Sequence, residues 1–463
     1  MMLRLWILLL VAGALGRVDL TAQGKFPPLP DKPVPPNVIW IIANDLGLGD
    51  LECYGQKQIR TRHIKRMARE GMMFTQCYAS SPDNLISRAG LLTGRDERFL
   101  DLLPDSPVLI EPGITTIGQA MQSLGYRTGY IGKWLLGKPQ SYSQPQRKGF
   151  NDWIGELEPQ TRLDFFPDKL WRFDPVRKFD GEQTWSYNTG HRQGIYLNDF
   201  FSRSMTNFVR IYHPNRWNRF VPFFQIVSFA LPNPLDSWAG NTNRFSAYPH
   251  TGMYTTRGWP KAEKQKAMAI SLLDHYLGQL FRVLERHQQV KNTVVFLTSD
   301  GGPFERGGSK VDFFDSNGEL KGRRGDLSEG GVRVPLLARW VGRIKPGRTN
   351  HTVCSLLDLM PTTIEIARGK PLESINGISL FPSLMGWEQT NQHKLLVWNR
   401  TNRYAARAGN WKAVQSTNSS WELYNLKADP AEATNVVRQA PQVLKSITNE
   451  LAAWKKLMPK LAE

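Results

Sequence analysis

The sequence predicts an α/β protein: a large, mostly parallel sheet covered by helices on both faces, then a smaller C-terminal antiparallel sheet with one helix. Two observations carry the larger part. Four continuous apolar runs rich in β-branched residues read as strands buried on both faces, and helical patterns lie between them. Such alternation pairs strands in parallel and gathers ligands beyond their carboxyl ends. The third observation is a change of composition after Gly369, where short strand-like pieces lead to one amphipathic stretch.

The chain has 463 residues, room for one large domain and a smaller one. The expected boundaries are 1–16, 17–36, 37–368 and 369–463. Met1 to Gly16 carries Arg4, an apolar run and small residues at Ala14-Leu15-Gly16, the pattern of a secretory signal cleaved near Arg17. A secreted or periplasmic protein follows from it. The run is short for a bilayer span, so membrane attachment requires the signal to stay uncleaved. Lys25 to Pro36 is a proline-rich, extended lead-in.

The four strand runs are Asn37 to Ala43, Tyr126 to Ile131, Phe223 to Leu231 and Thr293 to Thr298. They end in Asn44-Asp45, Gly132-Lys133, Pro232-Asn233-Pro234 and Ser299-Asp300-Gly301-Gly302. Helical periodicity covers Ile114 to Leu124 and Lys261 to about Arg286. Gln140 to Tyr196 is aromatic, charged and aperiodic, and reads as a long surface excursion. Thr352 to about Ala367 has the spacing of a helix interrupted by Pro361. Leu395 to Trp398, Tyr404 to Val414 and Trp421 to Leu426 are the short strands, and a helix after Pro441 aligns Val443, Ile447, Leu451 and Trp454 on one face.

Cys53, Cys77 and Cys354 lack metal-ligand spacing, allow one disulfide at most and read as buried thiols. The net charge of +18 favours polyanions. Anionic glycans and phospholipid surfaces qualify, while export makes nucleic acid the poorest fit. The densest basic run, Lys57 to Arg69, alternates with apolar positions and reads as a helix with a solvated face.

Chemistry concentrates in Tyr78-Ala-Ser-Ser-Pro-Asp-Asn84-Leu-Ile-Ser-Arg88-Ala-Gly-Leu-Leu-Thr-Gly94-Arg95. Leu85, Ile86, Ala89 and Leu92 recur at helical spacing, which makes Asn84 the expected cap and its surroundings a seat for an anion. Ser87-Arg88-Ala-Gly-Leu-Leu-Thr-Gly-Arg95 resembles the signature of the sulfatase family, Cys-x-Pro-Ser-Arg followed by a small residue and Leu-Leu-Thr-Gly-Arg. On that pattern Asn84 takes the place of the Cys that becomes formylglycine, and Ile86 that of the Pro. Further blocks match in order: Asn37 to Gly55, Glu329 to Pro335, Asp358 to Thr362, Glu422 to Leu426 and Ala428 to Glu432. The resemblance implies an alkaline phosphatase/sulfatase-like fold over nearly the whole chain.

It also implies a site, position by position. The family's divalent cation, generally Ca²⁺, is held by an Asp pair and an Asp-Asn pair. Here these positions are Asn44-Asp45 and Asp300-Gly301, so cation binding is expected to be weakened or absent, and Asp45 and Asp300 serve equally well as loop caps. Lys133 keeps the sulfate-binding Lys of Gly-Lys-Trp-His, whose His is Leu135. The His of a Pro-His-x-Pro segment has no counterpart in Leu231-Pro232-Asn233-Pro234. Arg324 stands for a Lys upstream of Glu-Gly-Gly, and Arg suits an oxyanion. No formylglycine is expected.

The implied protein is an exported sulfatase homologue impaired in sulfate ester hydrolysis, with Arg88, Lys133 and Arg324 forming a cationic pocket for a sulfated glycan or small anion. Two alternatives stand beside it. One is an active sulfate or phosphate esterase with a non-standard nucleophile, for which Ser81 and Ser87 are the available hydroxyls. The other is an interaction protein that binds polyanions through its basic surface.

Overall fold

Asn37–Asn44 forms the first strand, β1, and every residue of it is buried, as its unbroken apolar run requires. The computed structural model describes residues 34–99, 110–158, 165–216, 220–233 and 251–457. The signal segment, most of the proline-rich lead-in and Pro234 lie outside them. After β1 come α1 (Arg62–Glu70), β2 (Met72–Tyr78), α2 (Asn84–Thr93), α3 (Ile117–Ser123) and β3 (Arg127–Lys133). Next are β4 (Asp152–Glu156), β5 (Lys169–Asp174), β6 (Phe179–Thr184), α4 (Leu197–Tyr212), β7 (Phe223–Pro232), α5 (Lys261–Arg286) and β8 (Thr293–Ser299). A short α6 (Glu329–Val332) precedes β9 (Arg333–Arg339), β10 (Arg348–Asn350), β11 (Cys354–Ser355), α7 (Leu359–Ile366) and α8 (Phe381–Met385). The chain closes with β12 (Leu396–Arg400), β13 (Arg403–Ala408), β14 (Trp411–Gln415), β15 (Trp421–Asn425) and α9 (Pro441–Lys455).

The large sheet runs β10-β2-β9-β8-β1-β7-β3-β4-β5-β6, with β11 beside β2. Its centre, β8-β1-β7-β3-β4, is parallel, and antiparallel strands flank it. Alternation along β1 sends Val38, Trp40 and Ile42 to one face, under α2, α3, α7 and α8. Ile39, Ile41 and Ala43 go to the other, under α1, α4 and α5. Consequently the polar residues after β1, β3, β7 and β8 collect at one edge.

Three sequence expectations change. The stretch from Gln140 to Tyr196 is not only a surface excursion: β4, β5 and β6 extend the sheet from within it. β6 is the edge strand and β5 lies next to it; both are short and carry Lys169, Arg172, Asp180 and Glu182, and charge near an edge, which protects it from unwanted pairing, also hides the strand's period. Pro361 does not interrupt a helix, because α7 starts at Leu359 and the proline falls in its first turn, where no N–H is needed. Tyr404 to Val414 is two strands joined at Gly409, whose φ is +55°. Cys77 and Cys354 are buried, free thiols in register across β2 and β11, and Cys53 is half-buried.

The four-stranded antiparallel sheet packs Val397, Ala406 and Leu423 against Ile447, Leu451 and Trp454 of α9. Its other face meets Tyr78, Leu327 and Val332 through Trp398 and Ala405. Lys412 of β14 is wholly buried there, 3.0 Å from Glu329 and 3.0 Å from Glu432, and Tyr78 donates to Glu329 over 2.6 Å. Burial pushes the Glu329 carboxyl up, but Lys412, Arg333 and Arg407 outweigh it and hold it low. A Lys412→Met substitution removes the buried cation that Glu329 and Glu432 share, leaving Arg333 and Arg407 to face Glu329 alone, so urea unfolding should show a loss of about 3–5 kcal/mol.

Candidate active site

Five chain segments converge at the carboxyl edge of the parallel strands. β1 delivers Asn44 and Asp45, β8 delivers Asp300, β3 ends on Lys133, α2 contributes Asn84 and Arg88, and Arg324 comes from the loop before α6. All seven residues singled out by sequence therefore meet in one hydrogen-bonded cluster. Asp45 takes a positive φ of 62°, which Asp tolerates better than most side chains.

At its centre is Asn84. Its amide Nδ2 donates to Asp45 Oδ1 and, over 3.1 Å, to Asp300 Oδ1. Its Oδ1 accepts from Arg324 Nε at 3.0 Å, and that same Nε lies 3.1 Å from Asp45 Oδ1. Asp300 Oδ1 also accepts from the Asp45 backbone N–H at 3.1 Å and from Asn44 Nδ2 at 3.5 Å. Arg88 reaches Asp300 Oδ2 at 2.5 Å, Ser228 Oγ at 2.5 Å and the Lys133 carbonyl at 2.8 Å. Lys133 Nζ donates to Asn44 Oδ1 at 2.6 Å.

The helix cap differs from expectation. Asp83, not Asn84, is the N-cap of α2: its Oδ1 accepts from Leu85 N at 2.8 Å and Ile86 N at 3.3 Å. Asp wins because its charge answers the helix dipole directly. The first-turn N–H groups are thereby spoken for, and the expected anion seat on this helix end is filled by the protein's own carboxylate. Asn84, one residue on, is freed to point its carboxamide into the cluster.

Asn233 was missed as a cluster member. It follows β7 and donates to Asp45 Oδ2, leaving its own buried Oδ1 without a partner. The available signal was its place in a polar tail after a buried strand, alongside the three tails already singled out.

Burial raises Asp45 to about 6, with Arg324 opposing and Asp300 adding to the rise. Burial lowers Lys133, while Glu156 and the two aspartates pull the other way. For Arg88, burial works against the charge and Asp300 beside it outweighs that, so the guanidinium is held above its usual range. With Glu156 beside Lys133, three cationic side chains face three carboxyl groups. The structure divides those cations: Arg88 and Lys133 are buried and turned onto Asp300, Asn44 and backbone, whereas the Arg324 side chain is 26% exposed. Each of the six side-chain oxygens of Asn44, Asp45, Asn84 and Asp300 already accepts a protein hydrogen bond. Among the described residues there is no group of three or more His, Cys, Asp or Glu side chains spaced to hold a metal.

Gly301 completes the packing. A Cβ there would lie 2.8 Å from Asn84 Oδ1 and 3.4 Å from Asp45 Oδ1, so the Asn84 carboxamide occupies the space that a side chain at 301 would enter.

The fold and the edge position of this cluster define an alkaline phosphatase-like protein. The sulfatase family profile matches residues 36–369, and the profile described as N-sulphoglucosamine sulphohydrolase, C-terminal, matches 326–458; the chain belongs to the sulfatase family. An N-acetylgalactosamine-6-O-sulfatase of Bacteroides thetaiotaomicron is 25% identical, with 91% of this chain and 93% of the relative covered. Human arylsulfatase A is 28% identical over 89% of this chain and 86% of its own. Among solved structures, Ps i-CgsB in complex with k-i-k-neocarrahexaose superposes with a TM-score of 0.76 at 25% identity, covering 92% of this chain and 94% of the other. A structure holding its substrate D-glucosamine-2-N,6-O-disulfate shares the fold, with a TM-score of 0.69 at 21% identity and 92% and 98% coverage. Sulfatases generally use Ca²⁺.

The Asn84–Gly301 contact is testable by a double-mutant cycle. Gly301→Ala should destabilise the protein by about 1–3 kcal/mol through overpacking. The same change should cost less in an Asn84→Ala background, with a coupling of at least about 1 kcal/mol by chemical denaturation.

Proposed function

We propose that this sulfatase-family protein binds an acidic group of an anionic glycan and is impaired in sulfate ester hydrolysis by the formylglycine route. The observation that carries the proposal is the Asn84 carboxamide, bonded on both sides between Asp45, Asp300 and Arg324 at the position the family signature reserves for its modified Cys. An amide offers no hydrate to attack sulfur, and losing a hydrolase nucleophile costs on the order of 10⁶ in turnover. Proton carriers are missing too: Leu135 stands where the family signature carries His, and Leu231-Pro232-Asn233-Pro234 supplies none in place of the Pro-His-x-Pro segment. Ser87, wholly buried, and Ser81, bonded to the Asp83 N–H at 3.2 Å, have no base beside them.

The donor set does not fit a divalent cation. Hard cations take six to eight oxygens with net negative charge, whereas here the carboxylates are saturated by Arg88, Arg324 and carboxamide N–H groups. Gly301 supplies no ligand, and Asn84 fills its space. Fixed side-chain cations thus do the neutralising, and Arg324 is the one that meets an incoming anion. Arg88 and Lys133 face Asp300 and Glu156 behind it, and Arg324 is the partly exposed cation. Support for the ligand class comes from relatives named for N-acetylgalactosamine-6-sulfate and a similar structure holding a neocarrahexaose. The reading includes export, on the strength of the N-terminal signal pattern.

Calorimetry with a monosulfated saccharide should show binding at moderate salt that Arg324→Ala weakens by about ten-fold or more. Neither EDTA nor millimolar Ca²⁺ should shift the melting temperature or the affinity. Aryl sulfate turnover should stay at background; turnover abolished by Arg88→Ala would overturn the proposal in favour of an active esterase. Binding that survives Lys133→Ala with Arg324→Ala yet collapses with salt would favour the basic surface instead.

A further inference from the structure

Beside the cluster opens a cleft of about 430 Å³ between the large sheet's loops and the tip of the β12–β13 hairpin. Its size suits a saccharide unit. Arg324 forms its inner wall, and Arg306 and Arg400 form two others. Among the described residues Arg400 has no ion-pair partner. Its guanidinium crosses Gly325, where φ is +86° and a Cβ would fall 2.1 Å from Nη1. Only glycine lets that arginine lie against the loop that carries Arg324. Asp83 is the charged carboxylate on the rim, and it is occupied by the amides of α2.

The cleft also contains polar groups the fold leaves unsatisfied. Glu97 is 2% exposed and lines the cleft, and neither of its carboxyl oxygens has a hydrogen-bond partner. Asn399 Oδ1, on the same cleft, is likewise buried and unpartnered. Buried polar atoms are almost always paired, and leaving one bare costs about 1–3 kcal/mol. Burial, reinforced by Asp96, raises Glu97 to about 8, so at neutral pH it is a carboxylic acid able to donate and accept. Three guanidinium groups for an oxyanion, and an acid and a carboxamide for hydroxyls, form the complement of an acidic sugar.

We propose that this cleft is a second saccharide subsite, in which Arg306 and Arg400 pair with a further acidic group of the glycan while Glu97 and Asn399 hold sugar hydroxyls. It rests on the reading that Arg324 binds the first acidic group. The ligand is therefore a glycan carrying acidic groups on neighbouring units, either two sulfates or a sulfate and a uronate carboxylate.

Calorimetry on the full chain at fixed salt tests this with four probes: inorganic sulfate, a neutral disaccharide bearing one sulfate, the same disaccharide with two, and one with a sulfate and a uronate. The disulfated probe should bind at least about ten-fold tighter than the monosulfated one, and the uronate probe shows whether a carboxylate serves equally. Arg306→Ala with Arg400→Ala, both exposed positions, should erase the preference and bring the disulfated probe to the affinity of the monosulfated one. Glu97→Leu should weaken the saccharides several-fold without touching inorganic sulfate, and Glu97→Gln should restore them. Equal affinity for one and two acidic groups, or a preference that persists in the double variant, overturns the subsite. A preference that depends on the two arginines in a protein indifferent to inorganic sulfate keeps the subsite and removes the reading at Arg324. Absence of all binding removes both.

Discussion

Two buried carboxylates a few ångströms apart, Asp45 and Asp300, are the constraint around which the carboxyl edge of the sheet is arranged. Charges of one sign cannot share a dry site without counter-charge or hydrogen bonds. In this chain the requirement is met by Arg88 on Asp300, Arg324 on Asp45, and the Asn84 amide between them. The carboxamide at 84 and the absence of a side chain at 301 are therefore linked in packing terms. Asn84 both donates to the two carboxylates and fills the space at 301.

Much of the architecture was readable from sequence because the physics there is local. A parallel strand buried on both faces must be apolar without interruption, so β1, β3, β7 and β8 announced themselves, and their polar tails located the edge where Asn44, Asp45, Lys133 and Asp300 meet. What escaped was what depends on neighbours. β6 at the edge and β5 beside it carry charges that blur their alternation. The choice between Asp83 and Asn84 as cap turns on which side chain the interior claims, and no periodicity records that. Asn233 and Gly301 matter only through atoms contributed from Asp45 and Asn84, far away in the chain.

On the proposed reading, Asn84, Arg324 and the cleft let a family fold change its work without changing its frame. The sheet brings five segments to one edge, where Arg88, Lys133 and Arg324 meet Asp45, Asp300 and Glu156. On that reading, the binding energy that an enzyme would divert to its transition state is expressed as ground-state affinity. Glu97 and Asn399, unsatisfied within the fold, lie where such affinity is gained.

The ionic contact of Lys412 with Glu329 and Glu432 has a mechanical corollary. It welds the hairpin bearing Asn399 and Arg400 to the loop bearing Arg324, since Glu329 follows that loop directly and Lys412 sits on the strand next to the hairpin's second arm. Walls fastened this way do not have to be assembled around a guest. The entropic toll of ordering them was settled when the chain folded, so recognition here favours rigid matching of charge spacing over closure.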